Sequence, residues 1–199
     1  MQATTIDLKS MQEKQDTASR ILSEEEKQIL AAKADRQFFA VLYQNYYEQI
    51  MRFVYQRVHT KDEAFDVTQQ VFLQAMTALD KYEFRGLPFS SWLYRIALNE
   101  LNQRFRKNKN QRTVNVDDTS LASVLSEIEE NTIEEKEAQL LHALQTLEED
   151  DMQLLEMRYF EKRAFKEIGE IMNITENNAK VRMYRVLERL KKAITPKKN

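Results

Sequence analysis

Glycine and proline are so scarce in this sequence that a fold with many tight turns is excluded. The 199 residues contain two of each, whereas ordinary chains use roughly 7% glycine and 5% proline. Sheets need these residues at their reversals, so the sequence predicts an all-α protein. The same scarcity excludes the glycine-rich loops that cradle phosphate in nucleotide-binding enzymes.

The remaining composition narrows the function classes. Cysteine is absent, which excludes disulfides, thiolate zinc sites and cysteine nucleophiles. His59 and His142 lack the spacing of metal ligands, and no nucleophile, base and orienting group occur together, so neither a cofactor nor an enzyme is expected. The sequence shows no signal peptide and no apolar run of about 18 residues, which predicts a cytoplasmic protein without membrane insertion.

Apolar residues that recur every three or four positions divide the chain into two helical blocks, residues 35–112 and 135–195. Ser90 or Ser91 is expected to cap the helix that carries Trp92. Between the blocks, residues 113–134 are predicted to form a flexible acidic linker, because eight acidic side chains oppose one lysine between residues 113 and 137. Residues 1–34 have a thin apolar face and are predicted to be a loosely attached N-terminal extension.

The formal net charge of −2 hides a strong segregation of charge. Residues 180–198 carry eight cations against one acid, and a second cluster of cations follows residue 103: Arg104, Arg106, Lys107, Lys109 and Arg112. Two basic helix ends that flank an acidic tether indicate nucleic-acid contacts at two places.

Residues 164–187 have the proportions of a helix-turn-helix. Asn173 stands where the turn needs a positive φ, which asparagine tolerates. Gly169 is small where two helix backbones must cross, and Thr175 can cap the second helix. The side chains predicted to point outward from that helix are Asn177, Asn178, Lys180, Val181, Arg182, Tyr184 and Arg185. The alternative is a helical hairpin with a solvated charged face.

Two segments resemble bacterial RNA polymerase sigma factors. Residues 164–187, AFKEIGEIMNITENNAKVRMYRVL, resemble the region 4 helix-turn-helix, and residues 62–107 resemble region 2 through DVTQQVF (66–72), FRG (84–86) and FSSWLYRIALN (89–99). Two such regions joined by an acidic linker resemble the extracytoplasmic-function (ECF) subfamily. The resemblance implies two small helical domains and a factor that binds core RNA polymerase and directs it to specific promoters.

The resemblance also implies individual contacts. Region 4 would read the −35 element as duplex through Asn178, Lys180, Val181, Tyr184 and Arg185, with Arg182 on a phosphate. Region 2 would melt the −10 element and trap a flipped base near Phe84, Ile96 and Asn99, with Trp92 as a nearby π face and Arg104 and Arg106 on phosphates. The β′ clamp helices of the polymerase would dock on Asp66, Gln69 and Gln70. The β flap and an anti-sigma factor are further implied partners.

Several of these assignments have an alternative in which the residue has a purely structural role. Trp92 and Ile96 fit a hydrophobic core, Asn99 fits a structural hydrogen bond, and the polar patch at residues 66–70 fits a solvated helix face. For the whole chain, the alternatives are a helix-turn-helix regulator that acts without polymerase and a helical protein-interaction adaptor. Gln70 stands where the family usually has an acid, and Asn177-Asn178 stand where it usually has Gly-Thr.

Overall fold

The chain consists of two helical units. The computed structural model describes residues 24–108, 124, 126 and 137–194, and within these ranges it contains helices and no strand. The compact units comprise residues 1–112 and 113–199. The predicted all-α fold class is therefore confirmed. No helix in the described ranges is both long enough and apolar enough to cross a membrane.

Within its described residues, 24–108, the N-terminal unit contains four α-helices. α1 covers residues 24–34, α2 covers Phe39–Tyr55, α3 covers Lys61–Ala78 and α4 covers Phe89–Asn108. Short 3₁₀ turns at Arg36–Phe38 and Leu79–Lys81 connect to α2 and extend α3. The apolar stripes predicted from periodicity are buried against one another, with Leu42, Phe53, Val67, Val71, Leu93 and Leu101 at 1% exposure or less. Thr60 begins α3, since its Oγ1 accepts a hydrogen bond from the Glu63 N–H at 3.1 Å.

Helix α1 belongs to the core of this unit. Ile29 and Ala32 are buried, and the buried carboxylate of Glu25 accepts hydrogen bonds from the Tyr46 hydroxyl and, at 2.9 Å, from the Phe89 N–H. The prediction of a loosely attached extension is therefore wrong for residues 24–34, while residues 1–23 lie outside the described residues. Its thin apolar face was misleading because polar side chains supply much of the attachment.

The predicted cap of α4 at Ser90 or Ser91 is wrong. The helix begins at Phe89, so Ser90 and Ser91 lie inside it and are buried. The first N–H group of α4 is satisfied by the carboxylate of another helix. At the other end of the connecting loop, Lys33 Nζ donates to the Tyr82 carbonyl oxygen at 2.5 Å. Helix α1 therefore holds both ends of the loop over residues 83–88.

The C-terminal unit also contains four described helices. α5 covers Glu137–Gln145, α6 covers Glu149–Leu155 and continues into a π-helical turn at Glu156–Phe160, α7 covers Phe165–Met172 and α8 covers Glu176–Ile194. Their core includes Leu140, Leu144, Leu155, Val186, Leu190 and Ile194.

Part of the predicted linker joins the C-terminal core. Val124 lies in the segment assigned to the linker over residues 113–134, yet it is fully buried in the cluster formed by α5, α6 and α8. The assignment of that position to a flexible tether is therefore wrong. Ser126 is exposed, and the rest of the predicted linker lies outside the described residues.

Candidate nucleic-acid interface

The connection between α7 and α8 is a left-handed turn at Asn173. This residue has φ 57° and ψ 44°, and its N–H donates to the Gly169 carbonyl oxygen. The next N–H, that of Ile174, donates to the same oxygen at 2.9 Å. An asparagine in this conformation ends a helix at low steric cost, so the predicted turn is confirmed.

The two helices of this motif cross closely at Gly169. A Cβ atom at that position would lie 2.8 Å from the Ile174 carbonyl oxygen and 3.2 Å from the Glu176 nitrogen. Thr175 then starts α8, since its Oγ1 accepts from the Asn178 N–H at 3.1 Å. Turn, crossing and cap together fix the direction in which α8 leaves α7, as the sequence predicts for a helix-turn-helix.

One face of α8 is exposed along its first three turns. Ala179, Met183 and Val186 are buried on the opposite face. Of the seven residues predicted to point outward, Arg182 is half-buried and six are exposed: Asn177, Asn178, Lys180, Val181, Tyr184 and Arg185. Tyr184 is 67% exposed and Val181 is 43% exposed. The face therefore presents amide, cationic, aromatic and apolar groups, which is the chemistry needed to read base edges in a major groove.

Arg182 has an acidic partner on another helix, whereas Lys180 pairs with Glu176 of its own helix at 2.6 Å. The Nε of Arg182 donates to Asp151 Oδ1 at 2.6 Å, and its guanidinium lies 3.4 Å from Asp150 Oδ2. Arg189 donates to the second oxygen of Asp151. The phosphate contact of Arg182 stays a prediction. The partner could not be found from the sequence, because 31 positions separate the two residues.

Electrostatics keep this cluster ionised. Burial alone would raise the pKa of Asp151, but hydrogen bonds from Arg189 and Arg182, together with their charges, lower it below its usual value. Burial opposes the charge on Arg182 as well, yet the pairing with Asp151 and Asp150 raises its pKa. The carboxylate is therefore negative at neutral pH and bridges two cations.

Four of the predicted −10 residues share one stripe of α4. Trp92, Ile96, Asn99 and Arg106 follow at intervals of four, three and seven residues, which places them on the same side of the helix. Exposure rises along the stripe: Trp92 is 8% exposed, Ile96 is half-buried, and Asn99 and Arg106 are exposed.

The aromatic residues at the start of α4 pack together. The Trp92 ring centroid lies 4.7 Å from that of Tyr82 and 5.3 Å from that of Phe89. The core interpretation therefore holds for Trp92. Phe84 is half-buried in the preceding loop, and Gly86, with φ +66°, allows that loop to reverse.

Arg104 is not brought together with the other predicted −10 residues. Helical geometry rotates it about 120° away from the Trp92 stripe. Its guanidinium lies 3.8 Å from the Glu63 carboxylate at the start of α3. The structure gives Arg104 a link between α3 and α4, and its predicted phosphate contact stays a prediction.

A mixed polar and apolar surface covers the outer side of α3. Asp66, Gln69 and Gln70, the predicted polymerase contacts, are all exposed. Phe65 and Leu73 flank them and are 48% and 53% exposed. Periodicity alone did not single out these two residues, although both fall outside the buried stripe of α3. Large apolar side chains exposed beside polar ones are typical of a protein-binding surface.

Comparisons with known proteins agree with this arrangement. Residues 42–111 match the family model described as Sigma-70 region 2, and residues 143–192 match that described as Sigma-70, region 4. The RNA polymerase sigma-H factor of Pseudomonas aeruginosa is 30% identical over 190 residues, which cover 88% of this chain and 97% of the relative. The ECF RNA polymerase sigma factor BldN of Streptomyces coelicolor is 26% identical over 177 residues, covering 88% of this chain and 66% of BldN. The chain belongs to the ECF subfamily of RNA polymerase sigma factors.

A solved structure shares the fold of this sigma factor. CnrH, in complex with the cytosolic domain of CnrY, superposes with a TM-score of 0.56 at 17% identity, covering 83% of this chain and 94% of CnrH. Membership of the family makes the chain a transcription initiation factor. The regions matched by the two family models contain all three helix surfaces described above, those of α3, α4 and α8.

Proposed function

We propose that this sigma factor binds core RNA polymerase and selects promoters by contacting two DNA elements with its two units. The observation that carries the proposal is the exposed face of α8 behind the left-handed Asn173 turn. In the helix-turn-helix geometry, the second helix enters the major groove and its first turns reach the base edges. The sigma factor acts by binding and carries out no chemistry of its own, as a component of a cytoplasmic holoenzyme.

The −35 element is read as duplex. Asn178 can pair bidentately with adenine, Arg185 and Lys180 with guanine, and Val181 can contact a thymine methyl group. Each good bidentate pair contributes about 1–3 kcal/mol of discrimination against the wrong base. Tyr184 adds a large exposed ring beside these groups.

The −10 element is held as a melted strand. Extruding one base costs a few kcal/mol, which stacking and edge hydrogen bonds offset. Phe84 and Ile96 supply apolar contacts, and Asn99 supplies one hydrogen-bond donor group and one acceptor. Trp92 is too deeply buried to stack on a base, so its role is to support the loop and the start of α4.

The outer side of α3 docks on the polymerase. Phe65 and Leu73 provide the apolar contact, while Asp66, Gln69 and Gln70 provide polar contacts to the β′ clamp helices. The C-terminal unit contacts the β flap. Membership of the ECF subfamily supports an anti-sigma factor as a further, regulatory partner.

Run-off transcription tests the proposal. Purified core polymerase is incubated with the full chain on genomic fragments, and start sites are mapped. We expect discrete starts that need the chain, with Arg185→Ala and Asn99→Ala lowering promoter-dependent initiation while leaving co-migration with core polymerase intact. A chain that does not co-migrate with core polymerase, or that yields no discrete start, would support the regulator or adaptor alternatives instead.

A further inference from the structure

One carboxylate of the C-terminal unit binds two arginines of α8. Asp151 uses Oδ1 for Arg182 and Oδ2 for Arg189, which are seven residues apart and so lie on the same side of the helix. The Asp151 side chain is only 7% exposed, whereas those of Arg182 and Arg189 are 28% and 52% exposed. Both oxygens of a nearly buried acid are therefore committed to cations that approach from the edge of the exposed face.

Arg182 lies beside the residues proposed to read the −35 element. Asn178 precedes it by four positions and Arg185 follows it by three, so the three side chains neighbour one another on the helix surface. A free arginine at this edge would be within reach of the DNA backbone. A carboxylate offers an arginine the same charge-assisted hydrogen bonds as a phosphate does, and Asp151 offers them from within the protein.

We propose that Asp151 limits the sequence-independent affinity of the C-terminal unit for DNA, because its carboxylate binds Arg182 and Arg189 in place of DNA phosphates. This inference rests on the proposed function, and it replaces the phosphate contact that the family resemblance implies for Arg182. Contacts with phosphates form equally well on every DNA sequence and therefore carry no sequence information. Keeping two cations off the backbone lowers the affinity for DNA of every sequence, so stable binding requires the base contacts at the −35 element as well.

The test measures how the affinity of the reconstituted holoenzyme depends on salt. The probes are a promoter duplex mapped by run-off transcription and the same duplex with a scrambled −35 element. The logarithm of the binding constant falls with the logarithm of the salt concentration by about 0.9 for each phosphate neutralised. Asp151→Asn releases two arginines, so we expect the slope to steepen by up to about 1.8. Between 50 and 200 mM salt this corresponds to a further loss of affinity of about 12-fold.

Two control variants show whether a change in the salt slope comes from the released arginines or simply from the loss of a negative charge. Asp150→Asn removes a neighbouring exposed carboxylate that accepts one long hydrogen bond, of 3.4 Å, from Arg182, and we expect little change in slope because Asp151 still binds both arginines. Asp151→Asn combined with Arg182→Gln and Arg189→Gln is expected to return the slope to that of the wild type. We also expect Asp151→Asn to bind the promoter and the scrambled duplex more tightly at low salt by the same factor, so that the preference for the promoter stays unchanged.

A single-arginine variant keeps the inference testable if Asp151→Asn does not fold. Arg182→Gln should leave the slope within about 0.3 of the wild-type value, because Arg182 neutralises no phosphate. A decrease of about 0.9 in Arg182→Gln would overturn the inference, since Arg182 would then contact a phosphate. A wild-type holoenzyme that does not distinguish the promoter from the scrambled duplex would instead overturn the proposed function.

Discussion

Replacing Glu25 by alanine is expected to destabilise the N-terminal unit, and the structure gives the size of the effect. The substitution removes the acceptor of the buried Phe89 N–H and of the half-buried Tyr46 hydroxyl. Leaving a buried donor unsatisfied costs about 1–3 kcal/mol, and losing an ordinary hydrogen bond costs about 0.5–1.5 kcal/mol. We therefore expect the free energy of unfolding to fall by about 2–4 kcal/mol.

Urea unfolding followed by tryptophan fluorescence reports on this unit specifically. Trp92 is the single tryptophan of the chain, and it packs against Phe89, whose N–H group binds Glu25. If the free energy of unfolding falls by about 2 kcal/mol per molar urea, the unfolding midpoint should fall by about 1–2 M urea. Glu26→Ala, a neighbouring exposed acid of α1, is the matched control and should shift the midpoint little.

The loss of unfolding free energy in Glu25→Ala should also depend on pH, in a direction that the pKa of Glu25 defines. Burial raises the pKa of Glu25, and its hydrogen bonds with Tyr46 and the Phe89 N–H only partly oppose that shift. A carboxyl whose pKa is raised by folding contributes its full stability below the unfolded value of about 4.3 and loses part of it as pH rises through the folded value. The destabilisation in Glu25→Ala should therefore be larger at acidic pH than near neutrality. Equal midpoints for Glu25→Ala and Glu26→Ala, or a penalty that grows with pH, would refute the reasoning.

Three further predictions concern the turn, the helix crossing and the polymerase surface. Asn173→Val should lower the free energy of unfolding by about 1–2 kcal/mol, because a β-branched residue is strained in the left-handed conformation. Asn173→Gly should leave it nearly unchanged. Urea unfolding followed by far-UV circular dichroism measures both variants. Gly169→Ala places a Cβ atom 2.8 Å from a turn carbonyl oxygen, so we expect α8 to shift and promoter affinity in a filter-binding assay to fall at least about tenfold, with core-polymerase binding retained. Phe65→Ala and Leu73→Ala should each weaken binding to core RNA polymerase by about 1–3 kcal/mol in a fluorescence titration. Leu30→Ala, which removes a similarly exposed leucine from α1, is the control and should have little effect. Equal effects of all three substitutions would argue against docking through α3.

The local features of the fold could be predicted from the sequence. Asn173, Gly169 and Thr175 lie within seven positions of one another, and each is constrained by its immediate neighbours: a positive φ, a close crossing and a cap. Periodicity likewise identified the buried stripes, because burial repeats with the helix turn. The exposed face of α8 followed from the same pattern.

The long-range polar contacts could not be predicted in this way. Glu25 meets the Phe89 N–H across 64 positions and Arg182 meets Asp151 across 31, and a hydrogen bond between distant residues leaves no periodic trace. The attachment of α1 and the internal partner of Arg182 were missed for this reason. Val124 was missed because a single buried residue in an acidic stretch gives no pattern. The π-helical turn at Glu156–Phe160 has no sequence signal that we recognised.

Footprinting of one holoenzyme complex tests most directly whether the two units contact the two elements of the same promoter. Permanganate, which oxidises unpaired thymines, and a nuclease are applied to a mapped promoter fragment in parallel. We expect reactive thymines at the −10 element and protected duplex at the −35 element, with Tyr184→Ala removing the upstream protection and Asn99→Ala reducing the downstream reactivity. Protection at the −35 element alone, with a −10 region that stays paired, would contradict the account.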